Sequence, residues 1–475
     1  MSLPTPAWAV TKRRPAPMPD NPRQRLVARR LLGGGVWAIG GRVFSATVAF
    51  VIGVVLARLL TPESFGSYAL AVSVVTVVAL VGGLGADQAV VRLVSAASAR
   101  GESGTVFARR GLVIAIVSGL IAGLMLWLVA GPLFSGPINA PLLAQNALLL
   151  GIWCLSLAVQ RQLAETYRSY HDIREAEIFA GLGRSGILSG SLFLIGLLAL
   201  NVLDIVSYRT VVLAGIAAAA ITAFVALIFL ADRIRVRSTR PQSAVTRQML
   251  LIAVPLGAAT LMLTLRGQVD VWLVAATTGT GDTALYTAAL RLAVLVQMPA
   301  MIVNAVVPPM ISDLHSVEDT GLMESLVRSV ATLACVPAAI FLLIILLGGE
   351  TLMTVLYGTF YAGGTTVLTL LAISHFAFVL AGPALVGLAM TGNERALLLI
   401  TTVSVVVTMV AGFLAGRYYG VEGVAAVSAT VLIMQSAAMA VLFRRRLGIW
   451  SIATLSPQRL HSLGQHFSFG QRSAD

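Results

Sequence analysis

Apolar residues in this chain come in long runs, each about the length of a helix that crosses a bilayer, and polar residues collect in the short stretches between them. A helix rises 1.5 Å per residue, so about 20 apolar residues span the ~30 Å hydrocarbon core. Twelve runs fit that length: 33–58, 65–90, 111–131, 142–161, 177–200, 208–230, 248–276, 283–310, 329–348, 364–390, 396–416 and 421–443. Two long uncharged blocks need an internal break. Residues 111–160 divide at the Gly/Pro-rich stretch 131–141, and 351–393 divide near 361–364. The pattern predicts an all-α polytopic membrane protein.

The longest polar break between runs, 231–247, separates six from six. This predicts a basic cytoplasmic tail (1–30), an N-lobe (31–232), a cytoplasmic linker (233–247), a C-lobe (248–446) and a second cytoplasmic tail (447–475). The halves echo each other faintly. Aligning 54–75 on 272–293 pairs Tyr68 with Tyr286, each just after an outside turn, with three identities in the window. Transporters built from repeats place their substrate site between them, so two six-helix lobes around a central cavity are expected.

Composition agrees and excludes other classes. Of 475 residues, 57% are hydrophobic and only 11% charged, with mean hydropathy +0.90, a balance no soluble domain has. A net charge of +13 would suggest nucleic acid in a soluble protein. Here it follows from the excess of Arg and Lys in cytoplasmic loops, and no nucleic-acid partner is expected. With the N-terminus inside, 26 of the 33 Lys/Arg fall in cytoplasmic segments, while Arg58, Arg209 and Arg417 fall outside. Both termini are thus expected in the cytoplasm, with no cleavable signal on the polar, Pro- and Arg-rich N-terminal tail. The loop 312–328 departs from the trend, carrying Asp313, Glu318, Asp319 and Glu324 against one arginine. Cys154 and Cys335 lie in apolar runs and read as small packing residues.

The candidate chemistry is carried by four arginines inside the runs: Arg42, Arg184, Arg266 and Arg291. An arginine at mid-membrane costs at least ~3 kcal/mol on insertion scales, so it faces a protein interior or a water-filled path. Together they predict a cationic cavity suited to an anionic cargo such as a phosphate, which a guanidinium binds bidentately. Each has a plainer reading. Arg42 and Arg184 lie near the cytoplasmic edge and could snorkel to it. Arg266 and Asp270 are spaced i, i+4 on one helical face, which reads either as a structural ion pair or as a pair that an anion or proton opens. Asp270 is the candidate coupling carboxylate. Arg291 reads as cavity lining or as a salt bridge to Asp270 or Asp282.

Arg58 and Arg92 stand at helix ends, as interfacial anchors or as gate contacts between lobes, and Tyr68 and Tyr286 are further interface candidates. Asp87 has Arg92 five residues on as an imperfectly placed partner. Pro255, Pro308 and Pro309 are expected to bend their helices, and the glycines at 33–35, 82–83, 186 and 190 to let helices pack closely. No nucleophile–base pair, metal-ligand cluster or nucleotide motif appears, and none of the five histidines is spaced as a ligand pair. No catalytic site, metal or cofactor is expected.

At LARLLTPESFGSYALAVS (56–73) and GLGADQAVVRLV (83–94) the chain resembles the start of polysaccharide exporters, the Wzx-type flippases of the multidrug/oligosaccharidyl-lipid/polysaccharide (MOP) exporter superfamily. Arg58, Pro62, Phe65, Gly66 and Tyr68 fall on that family's turn between its first two helices, and Leu84, Gly85 and Arg92 on the end of the second. AVPLGAATLMLTLRGQVDVWLV (253–274) is similar to its seventh helix, and ALYTAALRLA (284–293), with Tyr286 and Arg291, to its eighth. TGNERALL (391–398) and RYYGVEGVAAVSATVL (417–432) resemble its closing pair.

The resemblance covers about 33–443 and implies a V-shaped pair of six-helix lobes in the bacterial cytoplasmic membrane. It also implies transfer of undecaprenyl-diphosphate-linked oligosaccharide from the inner to the outer leaflet, for exopolysaccharide, capsule or O-antigen assembly. Alternating access, H+ or Na+ coupling or pull by product removal, and polymerase and chain-length partners are expected with it. The alternative is a cation-coupled multidrug antiporter of the same superfamily, which a cavity dominated by arginine disfavours. A membrane polymerase or ligase would need a large outside loop, and the longest here is 348–363. The lipid II flippase branch carries fourteen helices against the twelve marked here.

Overall fold

The computed structural model describes residues 22–136, 138–181, 186–234, 242–316 and 319–454. Among them there are helices and no strand, as the apolar runs require: in lipid a backbone must satisfy its hydrogen bonds within its own segment. The N-terminal half comprises α1 (Pro22–Leu59), α2 (Pro62–Gly82), α3 (Ala86–Ala99), α4 (Thr105–Ser135), α5 (Pro141–Gln145), α6 (Ala147–Ser169), α7 (Ile173–Phe179), α8 (Ile187–Val202) and α9 (Tyr208–Ile234). The C-terminal half comprises α10 (Gln242–Arg266), α11 (Val269–Thr277), α12 (Thr280–Ser316), α13 (Thr320–Tyr357), a 3-10 turn (Thr359–Gly364), α14 (Thr365–Leu380), α15 (Ala384–Met390) and α16 (Glu394–Leu447).

Among the described residues ten helices are long and apolar enough to cross a membrane. The 54-residue α16 accounts for two crossings. Gly420 takes the left-handed conformation (φ 65°, ψ −152°), and on either side of it Gly416 packs on Val424 and Gly423 on Ala415, so the helix doubles back as a hairpin. The 16-residue α8, preceded by α7, supplies the fifth crossing. Twelve crossings result, six per half.

Four crossings are interrupted where the hydropathy pattern is continuous: the second between α2 and α3, the fifth between α7 and α8, the seventh between α10 and α11, and the tenth between α14 and α15. Leu84 (φ 49°), Gly85 (φ 72°) and Gly382 (φ 71°) turn the backbone at two of these points. The outside segment expected at 348–363 is largely helical. α13 runs on to Tyr357 with only a kink at Gly348 (φ −133°, ψ 19°), and the 3-10 turn follows at once. Glycine weakens a helix but does not end one that packing holds. α1 begins within the stretch expected to be a tail.

Large apolar side chains of α4, α9, α13 and α16 (Leu120, Leu128, Phe224, Phe229, Leu343, Leu347, Val410 and Leu414 among them) point outward as a lipid-facing belt. Inside, Tyr68, Trp153 and Phe193 stack at 5.9 and 6.1 Å between ring centres. The apolar core is continuous across the two halves, from Leu56, Phe65 and Leu70 to Ala284, Leu285 and Leu292. The halves meet where α1 and α2 pack on α12 and where α3 and α4 pack on α10. At the first seam Gly66 lies so close to Thr280 that a Cβ would collide with the Thr280 carbonyl and stand 2.9 Å from the Ala284 nitrogen. Lipid supplies no hydrophobic drive for helix association, so such close approaches of small residues hold helices together.

Candidate functional site

The interruption in the seventh crossing places two opposite charges side by side. α10 ends at Arg266, and Gly267 N–H and Gln268 N–H bond back to Thr264 and Leu265 carbonyls at 3.0 Å each before α11 begins at Val269. Across this turn, Arg266 Nη1 lies 3.7 Å from Asp270 Oδ2. The i, i+4 spacing therefore acts across a break rather than along one helical face as the sequence suggested. Arg266 also reaches α16, where Nε donates to Gln435 Oε1 and Nη2 to the Ser428 carbonyl, both at 3.3 Å. Tyr286 of α12 donates to Asp270 Oδ2 at 3.1 Å, while Asp270 Oδ1, also buried, has no hydrogen-bond partner among the described residues. On α14 the buried His375 shares a 2.7 Å hydrogen bond with Gln297 of α12.

These geometries say what the site can do. A charge-assisted bond to a guanidinium is typically ~2.7–2.9 Å long. Arg266, with its contacts at 3.3, 3.3 and 3.7 Å, sits well outside that range. It is a partly buried cation held by loose contacts, which an incoming anion can replace at small cost. Irregular backbone at membrane depth is tolerated where it lies within protein or lines a polar space, and half-helix ends there are used to hold ions and charged substrate groups.

The other arginines are placed differently. Arg291 of α12 crosses to the N-terminal half, donating from Nη1 to the Ala49 carbonyl at 2.9 Å. Its guanidinium sits 5.9 Å from the centre of the Phe65 ring, and its side chain lies over Gly53. It pairs with neither Asp270 nor Asp282, because it points at the seam and not along its own half. Arg42 is exposed on α1 and has no hydrogen bond or ion pair among the described residues; its neighbour Gly41 packs on Glu177 and Ile187 of the fifth crossing. Arg184 lies outside the described residues.

Arg58 ties the halves at the end that the charge pattern assigns to the outside. It donates from Nε to the Leu356 carbonyl at 3.0 Å and from Nη2 to Thr354 (3.4 Å) and Val355 carbonyls. These carbonyls lie in the last turn of α13, where a cation is electrostatically favoured, and that of Thr354 also accepts the Gly358 N–H. Arg92 is exposed on α3 with no partner among the described residues. Tyr68 and Tyr286 bond within their own halves, Tyr68 in the Trp153–Phe193 stack and Tyr286 to Asp270, so neither is a gate contact in this conformation.

Sequence reasoning missed several residues. Asp87 pairs with Arg161 of α6 at 2.7 Å and not with Arg92. Arg168 bridges Glu165 and Glu177 at 2.8 and 2.9 Å. Both arginines had counted only as cytoplasmic charge. Gln297, His375 and Gln435, polar residues inside apolar runs, gave the same signal that picked out the arginines. Among the described residues no group of three or more His, Cys, Asp or Glu side chains could hold a metal ion. Cys154 and Cys335 are free.

A family model described as polysaccharide biosynthesis protein matches residues 31–315. No curated protein matches the chain. Solved structures share its fold at low identity. The inward-facing conformation of a multidrug resistance MATE family transporter of the MOP superfamily superposes with a TM-score of 0.72 at 15% identity, covering 85% of this chain and 94% of that one. The outward-facing conformation of a MATE family transporter gives 0.59 at 13% identity, with 87% and 95% covered. A MOP superfamily transporter from Pyrococcus furiosus, described as having a binding pocket of reverse polarity that suggests a different function, gives 0.63 at 14% identity, with 87% and 95% covered.

Proposed function

The chain belongs to the polysaccharide biosynthesis protein family, and from that premise we propose that it is a flippase for undecaprenyl-diphosphate-linked oligosaccharide in the bacterial cytoplasmic membrane. Its fold is that of MOP exporters, and its working cycle is alternating access between the two halves. The observation that carries the reading is the loosely held Arg266 at the break of the seventh crossing. A diphosphate replaces the contacts to Gln435, Ser428 and Asp270 with two charge-assisted bonds and leaves the carboxylate to rebond to Tyr286. Arg42, unpaired on α1, meets the headgroup from the other half.

The halves touch at both ends, through Arg58 at the end assigned to the outside and through the packing of α3 and α4 on α10 at the other. An inward-open conformation is supported by the TM-score alone, which is higher against the inward-facing relative than against the outward-facing one. In the cycle, headgroup capture from the cytoplasmic leaflet is followed by release of the Arg58 and Arg291 contacts across the seam, and the headgroup then faces outward. Asp270 is the coupling group, because a carboxylate whose arginine is drawn to a substrate anion is left free to take a cation in its place.

Protein reconstituted in vesicles is expected to move a fluorescent polyprenyl-diphosphate sugar between leaflets, measured by its accessibility to a membrane-impermeant quencher. Rates no faster than in protein-free vesicles with several such lipids would overturn the reading. A cation-coupled antiporter for organic solutes is favoured by one observation, the unpartnered Asp270 Oδ1 within a MATE-type fold. Raised drug tolerance in an efflux-deficient host, together with absent lipid transfer, would select it.

A further inference from the structure

Where α10 packs on α4, a cavity of about 730 Å³ opens at the end of the molecule that carries most of the basic charge. Its rim is formed by Arg110 in the second turn of α4 and by Thr246 and Arg247 in the second turn of α10; its wall continues with Leu251, Val254 and Pro255. Arg110 Nε donates to Thr246 Oγ1 at 2.6 Å, so the two halves already touch here. The other guanidinium nitrogens of Arg110 and all those of Arg247 bond to no other group among the described residues. Two arginines from different halves thus share a pocket with no carboxylate to neutralise them.

The wall below matches a chain, not a free ion. From Arg247 to Pro255 α10 descends about 12 Å, most of the ~15 Å depth of one leaflet. Leu251 and Val254 are among the more exposed apolar side chains of the protein. Basic pockets between crossing helices on the cytoplasmic side recognise anionic lipid headgroups. We infer that this rim binds an anionic phospholipid, its phosphodiester between Arg110 and Arg247 and one acyl chain along Leu251, Val254 and Pro255, so that a membrane lipid fastens the halves at this seam.

The test uses the purified full-length protein, stripped of lipid in detergent and titrated with phosphatidylglycerol or phosphatidylcholine of matched chains, with adducts counted by native mass spectrometry. At about a fivefold gain per arginine near an anionic surface, the wild type is expected to take up phosphatidylglycerol at about 25-fold lower concentration than phosphatidylcholine. The Arg110→Gln/Arg247→Gln variant is expected to lose that preference, and Arg445→Gln/Arg446→Gln, a basic pair at the end of α16, to keep it. Should the first variant prove unstable in thermal unfolding, Arg247→Gln, at an exposed residue with no hydrogen bond or ion pair among the described residues, is expected to lose about fivefold. An equal response to both lipids in the wild type, an undiminished preference in the first variant, or the same loss in the control pair would overturn the inference. So would displacement of the lipid by millimolar inorganic phosphate, which would mark a free-anion site.

Discussion

Two kinds of partly buried arginine can be told apart by the length of their bonds. Arg161 and Arg168 hold carboxylates at 2.7–2.9 Å, the lengths of settled ion pairs, whereas Arg266 is offered only contacts of 3.3 Å and longer. Arg266→Ala is therefore expected to leave folded protein in the membrane and to slow lipid transfer about ten- to a hundredfold, the worth of one or two bonds to a charged group. Arg266→Lys should restore it in part, keeping the charge without the bidentate fork. Transfer regained in Arg266→Ala/Asp270→Ala would instead make the pair structural and end the ligand role. Asp87→Ala should behave in the opposite way. It strands Arg161 inside the N-terminal half at a cost of about 3 kcal/mol, read as a lower midpoint of thermal unfolding. Arg42→Ala, with no protein partner to abandon, is expected to lower transfer with the unfolding midpoint unchanged.

Among the elements, the crossings were legible and their interruptions were not. An apolar run reports only that a segment avoids water; whether its helix is whole depends on what neighbours offer to the freed backbone groups. The run 248–276 reads as one span, yet it stops at Arg266 and restarts at Val269, and this two-residue gap creates the candidate site. The reverse error occurs at 348–363, which reads as a segment between crossings, whereas α13 runs on to Tyr357. Gly66 shows the same dependence on context. It belongs to a short motif in the sequence, but its requirement comes from the backbone of α12. Gly66→Val should force α2 and α12 apart, giving little monodisperse protein by fluorescence-detected gel filtration. Normal yield and an unchanged unfolding midpoint would show that the two helices can separate freely here.

At the scale of the molecule, the contacts between halves are polar and few at the Arg58 end, apolar along α2 and α12, and mixed where α3 and α4 meet α10, with Arg110–Thr246 beside Val90, Phe107 and Met249. A rocking cycle must break the first and shear the second. Joining Arg58→Cys to Leu356→Cys with a cleavable bifunctional maleimide is expected to stop lipid transfer, and cleavage of the linker to restore it. Transfer that continues in fully cross-linked protein would rule out separation of the halves at that end.

The sequence alone determined the all-helical class, the twelve crossings and the polysaccharide-exporter kinship, because each rests on residues close together in the chain. Hydrophobic run length is matched to a bilayer one segment at a time, and short ordered motifs carry a family. What each charge does was decided by the tertiary structure. Arg266 finds Gln435 169 residues away, Arg291 finds Ala49 at a separation of 242 and Arg58 finds Leu356 at 298. A guanidinium takes whichever acceptors the packed helices bring to it, and helix packing is a property of the whole chain.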